Sequence, residues 1–263
     1  MARQWLFVSL YGGADAPPGL PTVVPRAARI VRTGDPGACC FFSRPDDPTG
    51  RSVELWVDAR ADVRREVTRL LRGAPEPGWR LSAERLVERP VGHPHESERD
   101  VRDELAAVAS EFALAVRPDG TTADGPEGYG LAVAHLRGLT GLLPRDGRAG
   151  FLFQCWQRWS AGLSPGRRVE LATSAEWGEP EPSAPAPLTA ALKTYLHGIE
   201  QGVRRQRPGC GLPEHYLLFS QSASAQERMG VPAAVSASAA LAVRAEVVRG
   251  AFRVPAADAG ERV

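Results

Sequence analysis

The sequence predicts an α+β domain in which helices pack on one face of a mainly antiparallel sheet. Segments rich in aromatic and branched residues lie near the beginning of the chain, and apolar residues three to four apart dominate later. Strands that precede helices, rather than alternate with them, favour this fold class. The chain has 263 residues, and we expect residues 1–255 to form one domain and residues 256–263 to form a disordered tail.

Three segments are predicted to be strands. Residues 4–11 combine aromatic and branched side chains, and Gly12 follows them. Residues 38–43 and 52–58 have the same composition. The segment between them, residues 44–50, is dense in Pro, Asp and Gly, which is typical of a turn. We therefore expect a hairpin over residues 38–58.

Helical spacing begins at Ala61, where Val63, Val67 and Leu71 recur on one side. Ser97 is predicted to cap a later amphipathic helix. Helices are predicted over residues 20–32, 61–73, 131–143, 150–162 and 188–206, besides the one that begins at residue 97. The Pro-rich and charged residues 74–96 predict an irregular loop, and residues 178–187 an extended linker. The last ordered part is predicted over residues 212–252.

Charge and composition exclude several classes of protein. The net charge is +1, from 32 basic and 31 acidic residues. This balance argues against a nucleic-acid partner bound by bulk charge and against a polybasic membrane anchor. No apolar run reaches the ~18–20 residues of a membrane-spanning helix, and the N-terminus has no signal pattern. The four cysteines have no zinc spacing, so we expect reduced thiols in a cytoplasmic protein.

The motifs of common cofactor sites do not occur in the sequence. There is no G-x-G-x-x-G or Walker loop and no G-x-S-x-G elbow. His93 and His95 flank a proline without a third ligand nearby, which favours a solvated loop over a metal site. His135 lies on an apolar helix and is predicted to be a hydrogen-bonded core residue. We expect no cofactor and no metal.

Residues 214–230 are rich in uncharged hydrogen-bonding side chains. Most of these side chains directly follow an apolar run, residues 217–219, within the same segment. A buried polar group without a partner costs about 1–3 kcal/mol, so these groups need partners. A polar pocket could supply them. The alternative is a helix or strand that hydrogen-bonds its neighbours and does no chemistry. The polar side chains of this segment include His215, Tyr216, Ser220, Gln221, Ser222, Ser224, Gln226 and Arg228.

Several segments, in order, resemble a known family. They are WLFVSLYG (residues 5–12), FFSRP (residues 41–45), VELWV (residues 53–57) and the helix predicted over residues 150–162. The chain resembles the C-terminal domain of lantibiotic dehydratases, which also occurs as a separate thiopeptide-type bacteriocin biosynthesis protein. The resemblance covers nearly the whole chain and implies an enzyme of peptide antibiotic biosynthesis.

A closing motif of that family, Ser-x-x-His-x-x-x-Asn-Arg, aligns with Ser220 and Arg228. Ala223 then occupies the position of the histidine that the resemblance implicates in glutamate elimination, and Glu227 that of the asparagine. An alanine cannot transfer a proton. The chain is therefore most similar to stand-alone thiopeptide pyridine synthases. Such enzymes join two dehydroalanines in a formal aza four-plus-two cycloaddition and expel water and the leader peptide.

This resemblance implies roles for residues of the polar segment. Tyr216 or His215 would shuttle the proton that converts one amide to its iminol. Ser220, Gln221 and Ser222 would hold that amide and the departing water, and Arg228 would brace the pocket. On the preceding helix, His197 and Tyr195 are second candidates, of which at most one can face the pocket.

The partner implied by the resemblance is a ribosomally synthesised, modified precursor peptide with its leader. Arg64, Arg65, Arg69 and Arg72 form a basic helix face that could meet an acidic leader, or could be a solvated face. Three alternatives remain open for the function: a glutamate-eliminating dehydratase domain that acts on glutamylated Ser or Thr, a non-catalytic scaffold that binds the precursor peptide, and an α+β protein of another role. The oligomeric state is unknown.

Overall fold

The computed structural model describes residues 3–47, 50–73, 76–89, 96–175, 186–205 and 212–250. One antiparallel sheet has the strand order β2-β4-β1-β5, and the short β3 pairs with β4. Its strands are β1 (Arg3–Gly12), β2 (Cys39–Ser43), β3 (Asp46–Asp47), β4 (Gly50–Asp58) and β5 (Trp79–Arg89). The predicted fold class is thereby confirmed.

The hairpin of β2 and β4 is also confirmed, since Phe42 pairs with Leu55 across it. The predicted loop over residues 74–96 is wrong, because residues Trp79–Arg89 within it form β5, which pairs with β1 so that Leu6 lies opposite Leu86. A strand at the end of a sheet has one neighbour and carries charged side chains, so it lacks the apolar alternation that identifies inner strands. This explains why its composition resembles that of a loop.

The helices described are α1 (Val23–Gly34), α2 (Ala61–Gly73), α3 (Glu96–Val116), α4 (Gly125–Leu142), α5 (Arg148–Ser160), α6 (Pro165–Ala175), α7 (Ala186–Arg204), α8 (Glu214–Arg228) and α9 (Ala233–Val248). The helices predicted at α1 to α5 and at α7 are confirmed, with shifted ends. Helix α6 was not predicted. Leu171 is the one buried apolar side chain among residues 165–173, the part of α6 whose burial is described, so the segment has little apolar periodicity. The predicted linker up to residue 185, the tail after residue 250, and His93 and His95 lie outside the described residues.

A continuous core joins the sheet to the helices. Leu6, Val8 and Leu10 of β1 are buried on one face of the sheet, together with Val63 and Val67 of α2. Helix α1 packs against α2, while α3 packs against β2, the opposite end of the sheet from β5. Helix α3 also contacts α7 and α8, so it connects the sheet to the helical half. In the described ranges, no helix is long and apolar enough to cross a membrane.

Candidate functional site between α5 and α8

The polar segment of residues 214–230 is helix α8 and the turn after it. Pro213 precedes the helix and Gly230 follows it in the left-handed conformation, with φ +71°. The amide of Val231 donates to the carbonyl of Gln226 (3.0 Å), which closes the helix end. The segment is therefore regular, and helical spacing decides which polar side chains share a side.

The two sides of α8 have different environments. Gln221, Ser222 and Arg228 are buried, whereas His215 is exposed and Tyr216 is 42% exposed. Ser220 is half-buried. The structure therefore separates the predicted site residues into a buried group and an accessible pair.

The accessible pair lines an open cleft between α8 and α5 with a volume of about 490 Å³. This volume is within the range of small-ligand pockets. The lining residues are Gln154, Gln157, Arg158, His215, Tyr216 and Phe219. None of these described lining residues has a carboxylate, and most have neutral groups that donate or accept hydrogen bonds.

Two arginines set the charge at the cleft. Arg158 lines it from α5, and the guanidinium of Arg102 on α3 lies 5.9 Å from the ring centroid of Tyr216. A cation over an aromatic face attracts the ring electrostatically. The cleft therefore offers a phenol, an imidazole, two amides and positive charge, which suit the binding and protonation of peptide amides.

On its buried side, α8 contributes Gln226 to a hydrogen-bonded chain with His135 and Tyr195. The Gln226 amide nitrogen lies 3.1 Å from His135 Nδ1 and 3.5 Å from the Ala132 carbonyl, so it donates and Nδ1 accepts. His135 Nε2 then carries the proton and donates to the Tyr195 hydroxyl (3.1 Å). Burial lowers the pKa of His135 to about 3 and raises the pKa of Tyr195. The prediction that His135 is a hydrogen-bonded core residue is confirmed.

Ser222 and Gln221 lie inside the helix packing. The Ser222 hydroxyl donates to the Phe219 carbonyl (2.7 Å) and lies 3.4 Å from Cys155 Sγ. Burial raises the pKa of the Cys155 thiol to about 12, so the thiol stays protonated. Gln221 Oε1 is buried and has no hydrogen-bond partner among the described residues. Neither side chain lines the cleft.

His197 lies apart from the other predicted site residues. It is exposed on α7, and its Nε2 is 2.6 Å from the side-chain nitrogen of Gln201 on the same helix. Tyr195, two positions earlier, is buried and faces His135. As the sequence predicted, the two side chains point in different directions.

Arg228 joins α8 to the sheet. Its Nε donates to the Phe42 carbonyl (2.5 Å) and to Ser110 Oγ (3.0 Å), and a terminal nitrogen donates to the Ser224 carbonyl (3.1 Å). Burial lowers its pKa to about 10, so it stays charged at neutral pH. The adjacent Glu227 accepts a hydrogen bond from the backbone amide of Arg44 (2.8 Å).

Ala223 lies seven residues after Tyr216, which places it two turns further along the same side of α8. It is half-buried. The position at which the resemblance implies a histidine is therefore on the same side of α8 as Tyr216, although Ala223 does not line the cleft and packs against the core. His135 also packs against α8, but it is completely buried and both ring nitrogens have partners, so it offers no group to a substrate.

Sequence reasoning missed the α5 wall of the cleft. Gln154, Gln157 and Arg158 share one side of α5, opposite the buried Leu152 and Cys155. Polar residues three and four positions apart are typical of the solvated face of a helix, so nothing in the local sequence distinguishes these three residues as part of a site. Their meeting with α8 depends on tertiary packing. The described residues contain no group of three or more His, Cys, Asp or Glu side chains arranged to hold a metal ion.

No family model matches the sequence, and no curated protein matches it significantly. Among solved structures, the pyridine synthase TbtD from thiomuracin biosynthesis matches with a TM-score of 0.58 and 14% identity, over 95% of this chain and 99% of that chain. The tRNA dependent lantibiotic dehydratase MibB from Microbispora sp. 107891 matches with a TM-score of 0.57 and 15% identity. That match covers 91% of this chain. The chain has the fold of these two enzymes.

This likeness confirms the resemblance that the sequence motifs indicated. The chain spans 28% of the length of MibB, so it corresponds to a part of that larger enzyme, whereas it spans essentially all of TbtD. By their descriptions, one structural neighbour is a pyridine synthase from thiomuracin biosynthesis and the other is a lantibiotic dehydratase.

Proposed function

We propose that the protein is a cofactor-independent pyridine synthase of thiopeptide biosynthesis, and that the cleft between α5 and α8 holds the reacting part of its peptide substrate. The observation that carries the proposal is the composition of the cleft. Phenol, imidazole and amide groups converge there without a carboxylate among the described lining residues. Such groups can bind a peptide amide and move its proton.

In the proposed reaction, one dehydroalanine and the preceding amide, as its iminol, form a 2-azadiene. The alkene of a second dehydroalanine adds to it, and two carbon–carbon bonds form. The iminol oxygen then leaves as water, and the nitrogen of the second dehydroalanine leaves with the leader as a carboxamide. These two eliminations make the ring aromatic, so atoms balance and no oxidant is needed.

Tyr216 and His215 are the groups proposed to convert the amide to its iminol. Both line the cleft and both are accessible. Ser220, half-buried and one turn after Tyr216, is proposed to contact the same amide. The larger contribution to the rate is the positioning of two distant alkenes, for which effective molarities reach ~10⁵ M or more.

Two further observations support this proposal over elimination of glutamate. The chain matches TbtD over 99% of that chain but spans 28% of MibB. On the same side of α8 as Tyr216, Ala223 occupies the position at which the resemblance implies a histidine in glutamate-eliminating members. The buried Gln221, Ser222 and Arg228 are proposed to act by shaping α8 and bracing the cleft.

The test is incubation of the purified protein with a peptide that carries a leader, azoles and two dehydroalanines. A pyridine synthase releases the leader as a carboxamide and converts the core to a product lighter by the leader amide and one water, measured by mass spectrometry. An unchanged substrate mass, under conditions where the protein is folded, would exclude the proposal.

The second candidate function is elimination of glutamate from glutamylated Ser or Thr. The similar TM-score of MibB and the presence of Arg158 at the cleft, which could bind a glutamate carboxylate, favour this alternative. Incubation with a glutamylated peptide separates the two reactions, because elimination releases free glutamate and leaves the leader attached.

A further inference from the structure

A second groove lies between α2 and the β5 end of the sheet, with a volume of about 850 Å³. Leu6 and Leu86, paired across β1 and β5, line it. Leu86 is 59% exposed, although its pairing with the buried Leu6 places it on the side of the sheet that faces the core. The groove therefore has an apolar floor that α2 leaves partly uncovered.

Positive charge surrounds this floor. The charged side chains on this side of the sheet are four arginines of α2 and one carboxylate: Arg64, Arg65, Arg69, Arg72 and Glu84. Arg85 also borders the groove, but its guanidinium lies 4.8 Å from the ring centroid of Phe7 on the other face of the sheet. The single carboxylate is already bound, since Arg72 donates to Glu84 from Nε (2.9 Å) and from a terminal nitrogen (3.1 Å). Arg64 donates to the backbone carbonyl of Gln4.

Arg65 and Arg69 remain available for a ligand. Both are exposed, and neither forms a hydrogen bond or ion pair with another residue in the described ranges. They are four residues apart on α2, and like charges at that spacing repel each other on a helix surface. An anionic ligand would remove this repulsion.

The backbone of β5 offers a second means of recognition. This strand is at the end of the sheet, and no described strand pairs with its outer side. An extended peptide can add to such an edge through main-chain hydrogen bonds while its side chains reach neighbouring pockets. Every second side chain of a peptide added along β5 would point to the face of the sheet that carries the groove. Those side chains would reach the leucine floor and the arginines of α2.

We propose that the groove between α2 and β5 binds an acidic, extended segment of the peptide substrate, outside the part that reacts. The proposal takes from the proposed function only that the substrate is a peptide. Acidic side chains would pair with Arg65 and Arg69, and an apolar side chain would cover Leu86. The groove thereby supplies affinity separately from the chemistry at the cleft.

The experiment measures fluorescence anisotropy of a fluorescein-labelled synthetic peptide in which Glu alternates with Leu and Ser. The double variant Arg65→Glu/Arg69→Glu is compared with Arg26→Glu/Arg29→Glu, which makes the same charge change on exposed arginines of α1 outside the groove. We expect the groove variant to bind at least about tenfold more weakly, and the α1 variant to bind within about twofold of the parent. Added salt should weaken binding to the parent.

Three results would overturn the docking proposal. One is equal affinity of the two double variants, and another is equal affinity for a peptide with Gln in place of Glu. The third is tighter binding of a labelled single-stranded oligonucleotide, which would make the groove a nucleic-acid interface. A variant with normal thermal unfolding and weak peptide binding supports docking even if the parent forms no pyridine, so the two proposals fail independently.

Discussion

The guanidinium of Arg228 donates a hydrogen bond to the backbone carbonyl of Phe42, although the two residues are 186 positions apart in the chain. The amide of Phe42 donates to Ser110 Oγ (3.1 Å), and that oxygen also accepts from Arg228. Strand β2 ends the sheet on this side. Its outward backbone groups at Phe42 are therefore satisfied by α3 and α8, which fixes α8 relative to the sheet.

Replacement of Arg228 by Met should lower the free energy of unfolding by about 2–4 kcal/mol, because it removes the donor to a buried carbonyl. Urea denaturation measures the change. Arg249→Met, at an exposed position after α9, is the matched control and should change stability by less than about 0.5 kcal/mol. Equal effects of the two substitutions would show that the Phe42 contact contributes nothing.

Stability should fall as the pH decreases below 6.5, because of His135. Burial lowers its folded-state pKa from 6.5 to about 3. Between pH 6.5 and pH 3 the unfolded state binds a proton at His135 and the folded state does not. The free energy of unfolding therefore decreases by up to ~1.4 kcal/mol for each unit that the pH falls below 6.5. Urea denaturation at pH 7.5 and pH 5 measures this loss. His135→Asn, which cannot titrate, should flatten the pH dependence, and an unchanged slope in that variant would assign it to other groups.

Tyr216→Phe should decrease the rate of pyridine formation by about 10²-fold or more, since general acid–base catalysis contributes ~10²–10⁴. The folded state should keep its stability because Tyr216 is accessible. Tyr129→Phe removes the same atom from α4, outside the cleft, and serves as the control. Mass spectrometry of the product over time gives both rates, and parent-like rates in Tyr216→Phe would remove the phenol from the mechanism.

Gly230→Ala should destabilise the protein by about 1–2 kcal/mol. Its φ is +71°, and a Cβ there would lie 3.0 Å from the Thr121 carbonyl. Gly150→Ala provides the opposite expectation. That glycine is inside α5 with no atom within 4 Å of an added Cβ, so alanine should stabilise by about 0.5–1 kcal/mol. Thermal unfolding that ranks the two variants in reverse would contradict the role of the α8 end.

The sequence predicted the elements whose apolar pattern faces one core. Val63, Val67 and Leu71 identified α2, and the aromatic residues of β1 identified the first strand. It did not predict β5, because an edge strand tolerates charge, or α6, which buries little. Those failures have a common origin, since local patterns report burial rather than pairing.

The candidate site was predicted on one side only. Composition identified α8, but the exposure of Tyr216 and the burial of Ser222 depend on how α8 packs. No sequence feature identifies Gln154 and Arg158 as cleft residues, because polar residues on one face of a helix are normally solvated. Cleft residues become recognisable only when two distant helices are brought together.

The hydrogen bonds that satisfy the outward backbone groups of Phe42 have a consequence for assembly. With α3 and α8 covering β2, strand β5 is the described edge on which the sheet can grow. Copies of the chain that associate by strand pairing would therefore meet edge to edge through β5. Such self-association and the binding of an acidic peptide would be mutually exclusive, so the peptide should dissociate any dimer that forms through β5.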